Sequence, residues 1–183
     1  MITPAGPGGV CGPCTVGLGA VSRLASEFPR LRLLVVGEGP EREAVTRAMS
    51  HLGDQALVVG HRGDVPDVLD ATDVLIHPAH ADAFPTVLLE AMSARVPVVA
   101  TSVGGVPEIV SQDETGILFA APPRAEELVS ALRPLLADPE LRKRLGEGGR
   151  RRFEANFTTD RWIERSLPVY ESVIAAPATA AAG

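Results

Sequence analysis

From Gly19 onward the chain alternates helix-length amphipathic segments with short β-branched runs, and that rhythm restricts the fold more than any other feature. A strand, a helix and a second strand in succession build a parallel pair, because a parallel connection must cross the sheet. The pattern predicts helices near residues 20–28, 41–51, 65–71 and 85–94, and strands at 31–36, 56–59, 74–77, 97–100 and 116–119. After Phe119 it predicts helices alone, at 124–137, 139–154 and 160–174. The expected class is α/β: a parallel sheet with helices on both faces. Ligands of such sheets settle beyond the carboxyl ends of the strands, so function belongs in the loops after Val36, Val59, His77 and Ala100.

The ends of the chain differ from its middle. Residues 1–19, MITPAGPGGVCGPCTVGLG, are rich in Gly and Pro and are expected to form an arm, and residues 175–183 a disordered tail. That leaves residues 20–174 as one domain, which suits a chain of 183 residues. Lys and Arg number 17 against 23 Asp and Glu, a net charge of −6 that gives no general attraction to nucleic acid or anionic lipid. No apolar run approaches the roughly 18 residues of a membrane span, and the N-terminus lacks a basic region followed by an apolar one. A cytoplasmic location is the expectation.

Polar residues concentrate between His77 and Val110, HPAHADAFPTVLLEAMSARVPVVATSVGGVPEIV. Pro85 suits the first position of a helix, which would leave the N–H groups of Thr86, Val87 and Leu88 free at a positive helix end. Such an end favours phosphate. Asp82 lies just before that helix and Glu90 one turn after Thr86, so two carboxylates would flank a bound anion. Carboxylates accept hydrogen bonds from vicinal hydroxyls, and the combination reads as phosphate together with ribose or sugar. The bland alternative is an Asp near a helix cap and a Glu on a solvated helix face.

Asp82-x7-Glu90 within DAFPTVLLEAM, followed by Pro97-Val-Val-Ala-Thr101 and Gly104-Gly-Val-Pro-Glu108, resembles the donor-binding half of the family 4 retaining glycosyltransferases, which have the GT-B fold. LRLLVVGEGPERE and VVGHRGDVPDVLDATDVLIHP upstream, and TGILF with the terminal helices downstream, extend the likeness over about residues 20–174. The resemblance implies a Rossmann-like C-terminal domain that binds a nucleotide-diphosphate sugar for glycosyl transfer, with no cofactor or metal. It implies that Glu90 holds the ribose hydroxyls. Asp82, at the first carboxylate of the motif, would be the catalytic-site residue facing the donor sugar. Backbone around Phe84, Thr86, Val87 and Leu88 would hold sugar hydroxyls and diphosphate. Gly37 and the turn at Gly60, His61 and Arg62 would lie near phosphates and base.

Departures from the family pattern are equally specific. Asp82 is one methylene shorter than the usual Glu, and Ala83 and Arg95 stand where glycine is usual. Family members grip the diphosphate with an Arg and a Lys from the loop after the domain's first strand, whereas nothing basic precedes Arg23 here and the only lysine is Lys143. That strand would lie mid-sheet, between 31–36 and 74–77. Residues 10–18 would have to improvise it, another chain would have to fill it, or the fold would be compromised. The N-terminal acceptor domain of a GT-B enzyme is also absent from the sequence, so the expectation is a truncated donor-binding domain inactive without that domain. A non-catalytic nucleotide-binding or interaction remnant is the alternative.

Other signals were weaker. Cys11-Gly-Pro-Cys14 matches the dithiol of thioredoxin-like proteins, but MITPAGPGGV is not the buried strand that should precede it. Gly17-Leu-Gly19 and Gly37-Glu-Gly39 both fail the third position of a dinucleotide fingerprint. Asp64, Asp67, Asp70 and Asp73 suit helix capping rather than a cation. Of four scattered histidines, His80 beside Asp82 is the one singled out for testing. The basic run Arg142, Lys143, Arg144 and Arg150 to Arg152 is interleaved with Glu140, Glu147 and Glu154 and reads as a solvated helix face rather than a membrane contact.

Overall fold

The structure, a computed structural model, describes residues 12–40 and 42–175. Five short strands alternate with helices: α1 (Gly12–Leu24), β1 (Leu33–Val36), α2 (Arg42–Met49), β2 (Ala56–Gly60), α3 (Val65–Asp70), β3 (Leu75–His77), α4 (Thr86–Ser93), β4 (Val98–Thr101), α5 (Val106–Ile109) and β5 (Gly116–Phe119). Three helices follow, α6 (Ala125–Ala137), α7 (Pro139–Asn156) and α8 (Thr159–Ala175). Every strand pair is parallel, as the α/β rhythm requires. One ladder joins β1 to β2, with Leu33 opposite Ala56 and Val35 opposite Val58. The other runs β3-β4-β5, with His77 opposite Ala100 and Thr101 opposite Phe119.

Alternation along the strands divides the core into two layers. Leu33, Val35, Ile76 and Val99 point to one face, where Leu18, Val21 and Leu24 of α1 meet Leu128, Leu132 and Leu135 of α6. Val36, Leu75, Val98 and Ala100 point to the other and bury against Leu88 and Met92 of α4, Leu69 of α3 and Ile109 of α5. β4 is buried along its whole length, the mark of a strand covered on both faces.

Two expectations change. Residues 12–19, assigned by composition to an arm, are helical, so α1 begins eight residues before Ala20, the predicted helix start, and ends at Leu24 rather than near Phe28. Glycine costs about 1 kcal/mol in a helix interior, but burial of Leu18, Val21 and Leu24 against α6 outweighs that penalty. Arg23 of α1 pairs with Glu126 of α6, and Glu27 in the turn just after α1 pairs with Arg133 of α6. Residues 12–18 therefore do not improvise a strand; Val10 and Cys11 lie outside the described residues, as does the proposed tail beyond 175. Among the described residues no strand joins β1 to β3, the place where the resemblance puts the domain's first strand. The short helix α5, after the Gly104-Gly105 turn, is an element the pattern did not predict.

Candidate functional site

The carboxyl ends of β1, β2, β3 and β4 carry the residues singled out from sequence. They form two groups, and among the described residues no hydrogen bond or ion pair joins one group to the other.

The first group lies at β1 and β2. Gly37, with φ 131°, donates its N–H to the carbonyl of Gly60, itself at φ 72°, with a length of 2.7 Å. Both conformations favour a residue without a Cβ. His61 and Arg62 follow on the surface. The Arg62 guanidinium is bound in a fork by the Asp64 carboxylate, Nε to Oδ1 at 2.7 Å, and this partner raises the guanidinium and lowers the carboxyl from their ordinary values. Arg42, nearby in α2, pairs with Glu38 at 3.1 Å. Both guanidiniums at this end of the sheet are thus already matched with carboxylates.

The second group lies at β3 and α4. His77 ends β3 in full burial, 3% exposed, and the chain then runs over Pro78 and Ala79, both buried, to the exposed His80 and the loop at Asp82. The Gly104-Gly105 turn holds that loop. A Cβ at Gly104 would lie 1.9 Å from the Asp82 carbonyl oxygen, and one at Gly105 would lie 2.2 Å from that of Ala83. Gly105 N–H also donates to the Asp82 carbonyl at 3.2 Å. The Asp82 carboxylate accepts from the Phe84 N–H through Oδ1 at 3.2 Å, and its Oδ2 lies 3.2 Å from His77 Nε2.

Pro85 is the N-cap of α4, not its first residue. Its carbonyl accepts from Leu88 N–H at 3.1 Å, so Leu88 has no free amide for a ligand, and its side chain is fully buried. Thr86 and Val87, the first two residues of the helix, keep their N–H groups outside the helical ladder, as any helix start must. Glu90 sits one turn further on, exposed and without an ion-pair partner among the described residues. Phe84 is exposed beside Phe157 of the α7–α8 turn, their ring centroids 6.4 Å apart, with the Arg152 guanidinium 5.9 Å from the Phe157 ring.

Four participants were not singled out from sequence. Gly104 and Gly105 were quoted only as part of a motif; the signal was the pair of adjacent glycines in the turn after a strand. His77 was passed over for His80, although its place within the apolar run VLIHP pointed to burial. Thr101, at the end of β4, is fully buried with its hydroxyl unpaired. Two surface depressions lie elsewhere, around Asp113, Glu114, Arg144 and Arg151 and around Asp70, Asp73, Arg142 and Lys143. Their loop residues immediately precede β5, β3 and β4 in the chain, at the opposite, amino end of the strands, and Arg142, Lys143, Arg144 and Arg151 come from α7.

A family model described as glycosyl transferases group 1 matches residues 16–152. The chain belongs to that family. It is 30% identical over 145 residues to N-acetyl-alpha-D-glucosaminyl L-malate synthase of Bacillus anthracis, which covers 78% of this chain and 38% of that protein. Among solved structures it resembles sucrose-phosphate synthase of Thermosynechococcus elongatus, with TM-score 0.76, 29% identity and coverage of 88% of this chain and 43% of that one. The Anabaena protein HepE in complex with UDP superposes with TM-score 0.82 at 20% identity, covering 93% of this chain and 48% of that one. The glycosyl transferase group 1 domain described here is therefore the C-terminal, Rossmann-like half of a GT-B fold, and it spans less than half the length of these relatives. No described helix is long and apolar enough to cross a membrane.

Proposed function

We propose that this chain is the donor-binding half of a retaining, family 4 glycosyltransferase, and that it holds a nucleotide-diphosphate sugar at the carboxyl ends of its strands without a metal or other cofactor. The observation that carries the reading is the clamped loop. Gly104 and Gly105 lie against the backbone of Asp82 and Ala83 and so fix the loop that carries the Asp82 carboxylate into the start of α4, with Glu90 one turn further along that helix. In this reading the Thr86 and Val87 amides meet the diphosphate at the positive end of α4, and the free Glu90 carboxylate accepts from the ribose hydroxyls. Asp82 faces the donor sugar, and Gly37, Gly60, His61 and Arg62 line the nucleotide side. HepE, a protein of the same fold, was crystallised in complex with UDP, which is in keeping with a nucleotide ligand.

Transfer breaks the bond between the sugar's anomeric carbon and the diphosphate, whose oxygen leaves with the electron pair, and an acceptor hydroxyl takes its place with loss of a proton. The chain spans 38–48% of these relatives' length, and the acceptor would be bound by a second domain or a second chain. A second reading, a nucleotide-binding module without turnover, is favoured by the pairing of Arg42 with Glu38 and of Arg62 with Asp64, which leaves both guanidiniums engaged. Each charge-assisted phosphate bond forgone is worth about 1.5–3 kcal/mol.

Calorimetric titration with UDP, GDP and ADP in turn, with Glu90→Ala as control, tests the site. Binding of one nucleotide, lost in Glu90→Ala, is expected. Binding that survives Glu90→Ala, or no binding in a cooperatively folded chain, would overturn the assignment. Sugar transfer by the chain alone would overturn the need for a second domain.

A further inference from the structure

His77 presents a physical puzzle. Its imidazole is buried at the end of β3, yet Nε2 makes no hydrogen bond. A buried polar atom without a partner is costly, and an apolar side chain of similar size would avoid the cost. The atom does have a neighbour: Asp82 Oδ2 stands 3.2 Å away, within reach but off the hydrogen-bond axis. Asp82 is anchored through its other oxygen to the Phe84 N–H, its carbonyl is pinned by Gly105, and its side chain is one quarter exposed. The carboxylate can turn about its own bond, and such a turn would bring Oδ2 toward the Nε2–H axis while the backbone stays in place. Hydrogen bonds at such sites are commonly long or misaligned before ligand binds and tighten afterwards.

We propose that His77 is a positioning residue for Asp82: its Nε2–H is held in reserve to fix the Asp82 carboxylate against the donor sugar when the donor binds. The inference rests on the reading of Asp82 as the sugar-facing carboxylate. Burial lowers the affinity of His77 for a second proton, although the charge of Asp82 acts in the opposite sense, so the ring is a neutral donor rather than half of an ion pair. No proton is transferred. The carboxylate stays ionised and accepts two hydrogen bonds, from Phe84 N–H at one oxygen and from His77 Nε2–H at the other, which leaves the second lone pair of Oδ2 for a sugar hydroxyl. The shorter reach of Asp relative to Glu makes orientation matter more, because an Asp carboxylate has one fewer torsion with which to find the sugar.

The test separates this from a structural role. His77→Leu should keep or raise the melting temperature, leave nucleoside-diphosphate affinity unchanged, and weaken nucleotide-sugar affinity on the order of tenfold. His77→Gln, whose amide nitrogen can replace Nε2, should recover most of that loss. In the Asp82→Ala background His77→Leu should have no further effect. A lower melting temperature with equal loss for both ligands, or an unchanged nucleotide-sugar affinity, would overturn the proposal. Should the unaltered chain bind no nucleotide sugar, the reading of the site fails, and nitrogen NMR of the imidazole still decides the role of His77. A protonated Nε2 whose resonance shifts in Asp82→Ala supports the pairing, and an unprotonated or unresponsive Nε2 overturns it.

Discussion

Arg95 occupies a backbone conformation that its side chain does not favour. Its φ of 60° places it in the left-handed region just after α4, where its N–H donates to the Met92 carbonyl and the next N–H, of Val96, to that of Ala91. This is the glycine-type helix ending, and a residue with a Cβ pays roughly 1–2 kcal/mol for it. The exposed ion pair from Arg95 to Glu147 at 3.2 Å returns at most a fraction of that. Arg95→Gly is therefore expected to stabilise the domain by about 1 kcal/mol, the greater chain entropy of glycine in the unfolded state taking back part of the gain. A urea midpoint that stays the same or falls would show that the ion pair outweighs the strain. Sequence marked Arg95 as a departure from glycine, and the backbone supplies the reason glycine is usual. Ala83, the other departure, is not among the residues with positive φ, so alanine is accommodated there.

At the scale of elements, α7 is the clamp that holds α4, and its glycines are the means. A Cβ on Gly146 would stand 2.0 Å from the Arg95 carbonyl oxygen, and one on Gly148 would stand 2.0 Å from that of Glu114. These contacts are with backbone, which cannot swing aside. Arg150 and Arg152 complete the clamp by donating to the carbonyls of Ser93, Ile109 and Glu108. Gly148→Ala should destabilise by about 1–3 kcal/mol or more, despite alanine's better helix propensity, because relief requires α7 to lift from the turn before β5. A more stable Gly148→Ala variant would mean that α7 is not tightly seated. Gly104→Ala should instead displace the Asp82 loop and weaken nucleotide-sugar binding more than folding. Elements were largely legible in the sequence because helical and strand periods leave strong marks; β5 falls at 116–119 as the pattern predicts. Close backbone approaches leave no periodic mark, and so the roles of Gly104, Gly105, Gly146 and Gly148 emerged only with the structure.

At the scale of the whole molecule, the layered α/β architecture followed from sequence because each strand's alternation feeds two cores at once. The start of α1 did not, because burial against α6 overrode the local preferences of Gly12, Gly17 and Gly19. His77 escaped for a related reason, since its importance lies in a contact five residues along the chain and not in its own neighbourhood. That residue also shapes how the entire fold answers to acid. Burial lowers the His77 pKa below its ordinary value of 6.5, so as pH falls below that value the unfolded chain takes up a proton that the folded chain resists. Stability then falls with pH. Asp64 and Glu126 are held low by hydrogen bonds from Arg62 and Arg23, and their contributions, present above the ordinary carboxyl range, are lost only as pH falls through it. Acid unfolding should consequently begin with a shallow loss below about pH 6.5 and steepen near pH 4. Melting temperatures measured from pH 8 to pH 3 check this. The upper phase should vanish in His77→Leu while the lower one persists, and an upper phase that survives the substitution would assign it to a group other than His77.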